Sequence, residues 1–137
     1  MTIPEPRHAV PTTGGSLSPE VHLLPARPES AAEARRIVMS ACRRWAREDL
    51  CDSAALVATE LVANGVRHAG TPLMVRLMPI DGGIRLEVAD DSTREVRARD
   101  ARLMDEGGRG LFLVDALAMR WGVDAHPAGK RIWAEIA

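Results

Sequence analysis

The sequence predicts an α+β fold, a two-layer sandwich in which an antiparallel or mixed sheet carries its helices on one face. Three observations lead there. Two long stretches, from Pro28 to about Arg47 and from about Asp52 to His68, have the starts and stops of helices. Two pairs of short apolar runs are joined at Asp81-Gly82-Gly83 and Pro127-Ala128-Gly129, and hairpin joints make antiparallel neighbours. The chain has 137 residues, 46% of them apolar, enough for one domain that buries about two-thirds of its unfolded surface.

Taken in order, residues 1–19 hold Pro4, Pro6, Pro11 and Pro19 with Gly14 and Gly15, and no sustained period of two or 3.6. A flexible tail is expected there, ahead of a domain over residues 20–137. Val21 to Leu24 is a short apolar strand closed by Pro25. Pro28-Glu29-Ser30 opens the first helix with an early acid, and Asp52 or Ser53 caps the second, which stops at Gly70 before Thr71-Pro72. Leu73–Pro79 and Ile84–Ala89 form the first hairpin. Ile84, Leu86 and Val88 alternate with Arg85 and Glu87, so one face is expected buried and the other wet, and the same parity aims Asp90 at the buried side. From Asp91 to Arg109 the chain is charged with no apolar face, the pattern of a functional lid. Leu111 to Met119 is a third helix, followed by a strand near Arg120–Asp124 and a last strand from Lys130 to Ile136.

Charge and composition exclude several classes. With 18 basic and 19 acidic residues the net charge is -1, so no global field draws the chain to a polyanion. Arg94, Arg97, Arg99 and Arg102 are interleaved with Glu95, Asp100 and Asp105 and make no basic face, so no direct nucleic-acid contact is expected. Apolar runs are too short for a membrane span, and the start lacks a basic segment, apolar run and cleavage site, which points to a cytoplasmic protein. Cys42 and Cys51 lack CxxC spacing and read as structural thiols rather than a redox switch. The second helix has one histidine, not the pair of HExxH, so a zinc hydrolase is not expected.

Four constellations can carry chemistry. Glu60, Asn64 and His68 lie four apart and form one stripe on the second helix, with Val57 and Leu61 among them and Val62, Val66, Ala55 and Ala58 on the other side. A carboxylate and an amide oxygen are ligands that magnesium accepts together with phosphates. Alone, however, the stripe fits solvated helix polarity better, and His68 fits a hydrogen bond near the helix end. Gly107-Gly108-Arg109-Gly110 directly precedes a helix at Leu111, where unpaired N–H groups can bind phosphate; a plain turn explains it equally well. Asp90, followed by Asp91-Ser92 at a strand end, can accept from a purine amino group or act as a turn cap. Trp121-Gly122 and Gly129-Lys130 with Trp133 fit sheet packing, with Lys130 within reach of a phosphate.

In this order and spacing the segments resemble the GHKL ATPase superfamily, over roughly residues 20–137. ELVANGVRHA is similar to its N-box helix, VADDS to its adenine-binding aspartate box and GGRGLFLV to its glycine-rich phosphate box. Within it the chain is most similar to short actinobacterial proteins of the anti-sigma-factor serine kinase group, for which RGL-x-LV, WGV and GK-x-x-W are typical. The resemblance implies a Bergerat-type sandwich that binds ATP and magnesium. Asn64 would ligate the metal, Glu60 would be the catalytic base or water-positioning acid, and Asp90 would bind the adenine amino group. Gly108, Arg109 and Gly110 would contact the phosphates, and His68, Ser92, Gly107, Leu111 and Lys130 complete the expected ATP site. The implied activity is phosphoryl transfer to a serine or threonine of an anti-anti-sigma protein, with separate capture of a sigma factor, a role in transcription regulation. A homodimer is implied by the same likeness.

Three positions depart from the pattern. Ser92 replaces the first glycine of D-x-G-x-G, Arg131 stands where a threonine often follows, and Gly65 replaces the usual alanine inside the N-box helix, at a cost on the order of 1 kcal/mol. The altered aspartate box motivates an alternative, a non-catalytic protein-interaction module in which ATP only orders the lid. The catalytic domain of a two-component histidine kinase is disfavoured, because no phospho-accepting histidine helix precedes the domain.

Overall fold

The structure, a computed structural model, describes residues 18–90, 108–126 and 129–137. The expected tail therefore lies outside the described residues except for Ser18 and Pro19, as does the lid up to residue 107.

In chain order the elements are β1 (Glu20–Leu24), α1 (Glu29–Arg44), a 3₁₀ turn (Glu48–Leu50), α2 (Cys51–Ala69), β2 (Leu73–Ile80), β3 (Gly83–Asp90), α3 (Gly108–Leu117), β4 (Arg120–His126) and β5 (Gly129–Ile136). The strands form one fully antiparallel sheet in the order β1-β2-β3-β5-β4. Helices α1 and α2 pack on each other, and α2 also contacts β2, β3, β5 and α3, which makes it the central beam of the helical layer. This is the expected α+β sandwich. No helix among the described residues is long and apolar enough to cross a membrane.

Helix α1 buries Ser30, Ala34, Val38, Ala41 and Cys42, a stripe at three- and four-residue spacing. It ends at Arg44 rather than the expected Arg47. Ala46 takes a left-handed conformation (φ 55°), and the Arg47 amide turns back to donate to the Cys42 carbonyl at 2.8 Å. A glycine would have announced this stop in the sequence; alanine does not. Helix α2 begins at Cys51 after Leu50, with no side-chain cap, so Asp52 and Ser53 fall inside its first turn instead of preceding it. The 3₁₀ turn feeds the chain directly into the helix and removes the need for a capping side chain. Its end at Ala69, with Gly70 left-handed, is as expected.

The core lies between the layers: Leu73, Val75 and Leu77 of β2, Ile84, Leu86 and Val88 of β3, and Ile132, Ala134 and Ile136 of β5 meet Val38, Val57, Leu61 and Val62. Both cysteines are free, Cys42 fully buried and Cys51 half-buried against this cluster. Burial, reinforced by the hydrogen-bonding Cys51 thiol beside it, pushes the Cys42 thiol up to about 12, which keeps it a neutral packing group at ordinary pH.

The other sheet face corrects the expectation of a wet surface. Arg85 and Glu87 are buried, 0% and 3% exposed. Arg85 donates from Nε to Glu87 (2.8 Å) and from Nη1 to Glu135 (2.9 Å), and its guanidinium lies 4.4 Å from the Trp133 ring centre. Arg120 grips the second Glu135 oxygen at 2.7 and 3.0 Å, while Arg76 and Arg131 flank Glu87. Alternation correctly put these residues on the opposite face; the charges are shielded there by each other and by Trp133. Trp121 sits on the helix side, where its indole N–H donates to Asp115 of α3 at 2.8 Å and ties that helix to β4.

The β2–β3 hairpin closes at Ile80 opposite Gly83. A Cβ at Gly83 would lie 2.2 Å from the Ile136 carbonyl oxygen, a backbone atom that cannot turn aside. Gly83→Ala is expected to cost about 2 kcal/mol or more through overpacking, read as a lower urea midpoint at unchanged slope. A midpoint equal to wild type would show that the strand ends relax without penalty.

Candidate functional site

The site is assembled around α2. Successive residues four apart advance about 40° round a helix, so the Glu60-Asn64-His68 stripe drifts slowly round it and is deepest at Asn64. Glu60 lies half-buried at the rim, Asn64 is fully buried, and His68, half-buried, is the last residue but one of the helix. Val57 and Leu61, next to them, are completely buried, as are Ala58 and Val62 on the sheet side. The stripe is therefore no solvated surface: α2 is covered on most of its circumference.

Asn64 is the most constrained polar group here. Its Oδ1 accepts a hydrogen bond from Arg67 Nη2, while its Nδ2, equally buried, has no partner among the described residues. The guanidinium donor fixes which end of the amide faces outward, because two donors would otherwise meet. Arg67 is a residue that the spacing argument passed over; its position three after Asn64 is the signal that could have found it.

Gly65 permits close approach. A Cβ there would come within 2.9 Å of Leu73 Cδ2, so the missing methyl leaves that β2 side chain space against α2 that it would otherwise have to yield. The helix-propensity cost noted in the sequence is the counterpart of this contact.

Asp90 closes β3, half-buried, on the same face as Val88, Leu86 and Ile84. Its neighbour in register across the β3–β5 ladder is Lys130, which is 3% exposed. Arg131, next along, pairs with Ala89 and Asp124 and donates to Glu87 at 3.3 Å, so it belongs to the charged face and not to the Asp90 side.

The glycine-rich segment differs from the expected loop before a helix. Helix α3 starts at Gly108, so Gly108, Arg109 and Gly110 form its first turn and Leu111 is already buried, 4% exposed. The unpaired N–H groups of a helix start thus belong to these residues themselves. Leu111 and Val114 anchor the turn in the core, and α3 packs along α2. Ser92 and Gly107 lie outside the described residues.

One helix therefore presents a carboxylate and a buried amide, a second helix beginning with glycines packs on it, and a strand-end aspartate stands on the sheet below. Glu60 and Asn64 supply hard oxygen donors of the kind that magnesium accepts. No three His, Cys, Asp or Glu residues cluster among the described residues. A metal held here would draw few ligands from the protein and the rest from phosphates and water, the habit of magnesium.

Comparison with known proteins agrees with this layout. The model of the histidine kinase-like ATPase domain matches residues 24–136. An uncharacterized protein of Streptomyces coelicolor is 41% identical over 84 residues, covering 58% of this chain and 80% of that relative.

Proposed function

Because the chain belongs to the histidine kinase-like ATPase domain family, and so carries an ATP-binding domain, we propose that it is a magnesium-dependent protein serine/threonine kinase and anti-sigma factor. The observation that carries this reading is the fully buried Asn64 amide, one helical turn from the Glu60 carboxylate at the site's rim.

In this reading Asp90 accepts from the adenine amino group. The amides of Gly108, Arg109, Gly110 and Leu111 bind phosphate oxygens at the start of α3, with Gly107, Ser92, His68 and Lys130 around them. Asn64 would hold magnesium through its amide oxygen, and the bound ion would neutralise phosphate charge. Glu60 takes the proton from the hydroxyl of the partner's serine or threonine. As the hydroxyl oxygen bonds to the γ-phosphorus, the bond from that phosphorus to the β–γ bridging oxygen breaks, and ADP leaves. The phosphoryl acceptor is an anti-anti-sigma protein, and a sigma factor is the protein held in the alternative complex. The functional unit is a cytoplasmic homodimer of a domain over residues 20–137 with a flexible segment before it.

The test is incubation of the protein with labelled ATP, magnesium and a cognate anti-anti-sigma protein. Label on the partner is expected; normal ATP binding with no transfer would sink the kinase reading. That second outcome is the one favoured by Ser92, which stands where the family pattern has glycine. The protein would then be a binding module in which ATP orders residues 91–109. Hydrogen exchange of those residues, unchanged by saturating ATP and magnesium, would count against the module as well.

A further inference from the structure

The side-chain oxygen of the buried Asn64 is already faced by a cation. Arg67 donates to Oδ1 from one helical turn away, and a guanidinium keeps its proton at any ordinary pH. Arg67 is an exposed side chain, free to leave by rotation about its own bonds, whereas Asn64 is locked in the interior. The contact turns Oδ1 toward the exposed guanidinium and leaves Nδ2 without a partner, so the oxygen is the atom of the amide that a metal can reach in its place. A magnesium ion on the same oxygen would bring a double charge against the guanidinium in a partly buried site, where like charges repel strongly.

We propose that Arg67 is a tethered cation that occupies the metal-ligating oxygen of Asn64 in the nucleotide-free protein and is displaced when magnesium binds, so that it sets the metal concentration at which the site fills. This rests on the magnesium role proposed for Asn64. Arg67 is here a positioning residue: it orients the ligand oxygen before the metal arrives and competes with the metal for it. Without it the oxygen is buried and unsatisfied in the metal-free protein, and open to the metal without competition.

The experiment is a calorimetric titration of the full chain with ATP at graded magnesium, for wild type, Arg67→Ala and Arg67→Lys. The half-saturating magnesium concentration is expected to fall about fivefold in Arg67→Ala, the size of one partly exposed charge-assisted contact, and less in Arg67→Lys, which keeps a charge but not the fork. Thermal unfolding gives a second readout. The alanine variant should melt below wild type without ligand, and the gap should close with magnesium and ATP; a merely structural contact would leave the gap open. An unchanged or raised half-saturating concentration overturns the inference, and so does lower ATP affinity at saturating metal with an unchanged metal midpoint, which would put Arg67 on the nucleotide. Wild-type ATP binding indifferent to magnesium would instead remove the metal role of Asn64, and the inference with it.

Discussion

Asn64→Ala is expected to lower the affinity for ATP in the presence of magnesium about a hundredfold, some 2.7 kcal/mol, while Glu60→Ala binds nearly as wild type and loses phosphoryl transfer by about 10²–10⁴-fold. The split follows from position. Asn64 is buried with its Oδ1 turned to Arg67, and in the proposed complex its loss would remove a ligand from the ground state. Glu60 is half-buried, and in the proposed reaction it would act only as the new bond forms. Unlike most core residues, Asn64 should be removable at little cost to the fold. Its Nδ2 already lacks a partner and its hydrogen bond goes to an exposed arginine, so alanine is expected to change stability by only about 1 kcal/mol. Calorimetry on both variants, with a urea melt beside it, checks the pair. Undiminished magnesium-dependent binding by Asn64→Ala would take the metal site away from this residue.

Glu135→Ala should be the most damaging single change to the fold, at about 3–5 kcal/mol. The carboxylate is fully buried and holds Arg85 on one oxygen and Arg120 on the other. Its removal leaves the completely buried Arg85 guanidinium against Glu87 alone, with Nη2 lacking a partner even in the intact protein. Replacing Arg85 and Glu135 together by Met and Leu should restore much of the loss, because a buried ion pair returns little over good apolar packing. Burial pushes the Glu135 carboxyl up, but the hydrogen bonds and charges of Arg120 and Arg85 outweigh it and hold the group below its ordinary 4.5. With the folded value depressed, the stabilisation is fully present above pH 4.5 and is lost as pH falls through the folded value. The stability gap between wild type and Glu135→Gln should therefore narrow on acidification below that point. A gap that stays constant down to pH 2 would show that ionisation of Glu135 is not what the fold depends on.

The same pair shows where the sequence was legible and where it was not. Period-two alternation placed Arg85 and Glu87 on the correct face and failed only on their burial, because what covers them is remote. Glu135 is 50 residues along the chain from Arg85, and no local pattern links them. The helix stop at Gly70, the β2–β3 hairpin and the α+β class were readable because glycine, turn residues and periodicity act within a few positions. The early end of α1 was hidden by an alanine in a conformation that sequence rules reserve for glycine. Spacing put Asn64 on a partly buried stripe of α2 and parity put Asp90 on the core face of β3, while the start of α3 was placed three residues late because glycines were read as loop. Arg67 was missed because an arginine near a helix end is ordinarily a dipole partner, and its claim on Asn64 appears only when side chains are in place.

The central position of α2 has a practical meaning for any ligand that binds along it. The helix touches α1, α3 and three of the five strands, so a ligand held along it binds to the element that joins both layers of the native fold and only to that folded state. Occupancy and melting temperature are then two measures of one quantity: a nucleotide at a hundred times its dissociation constant adds about 2.7 kcal/mol to the native state. Loss of that nucleotide would therefore lower the stability of the folded chain as well as empty its site.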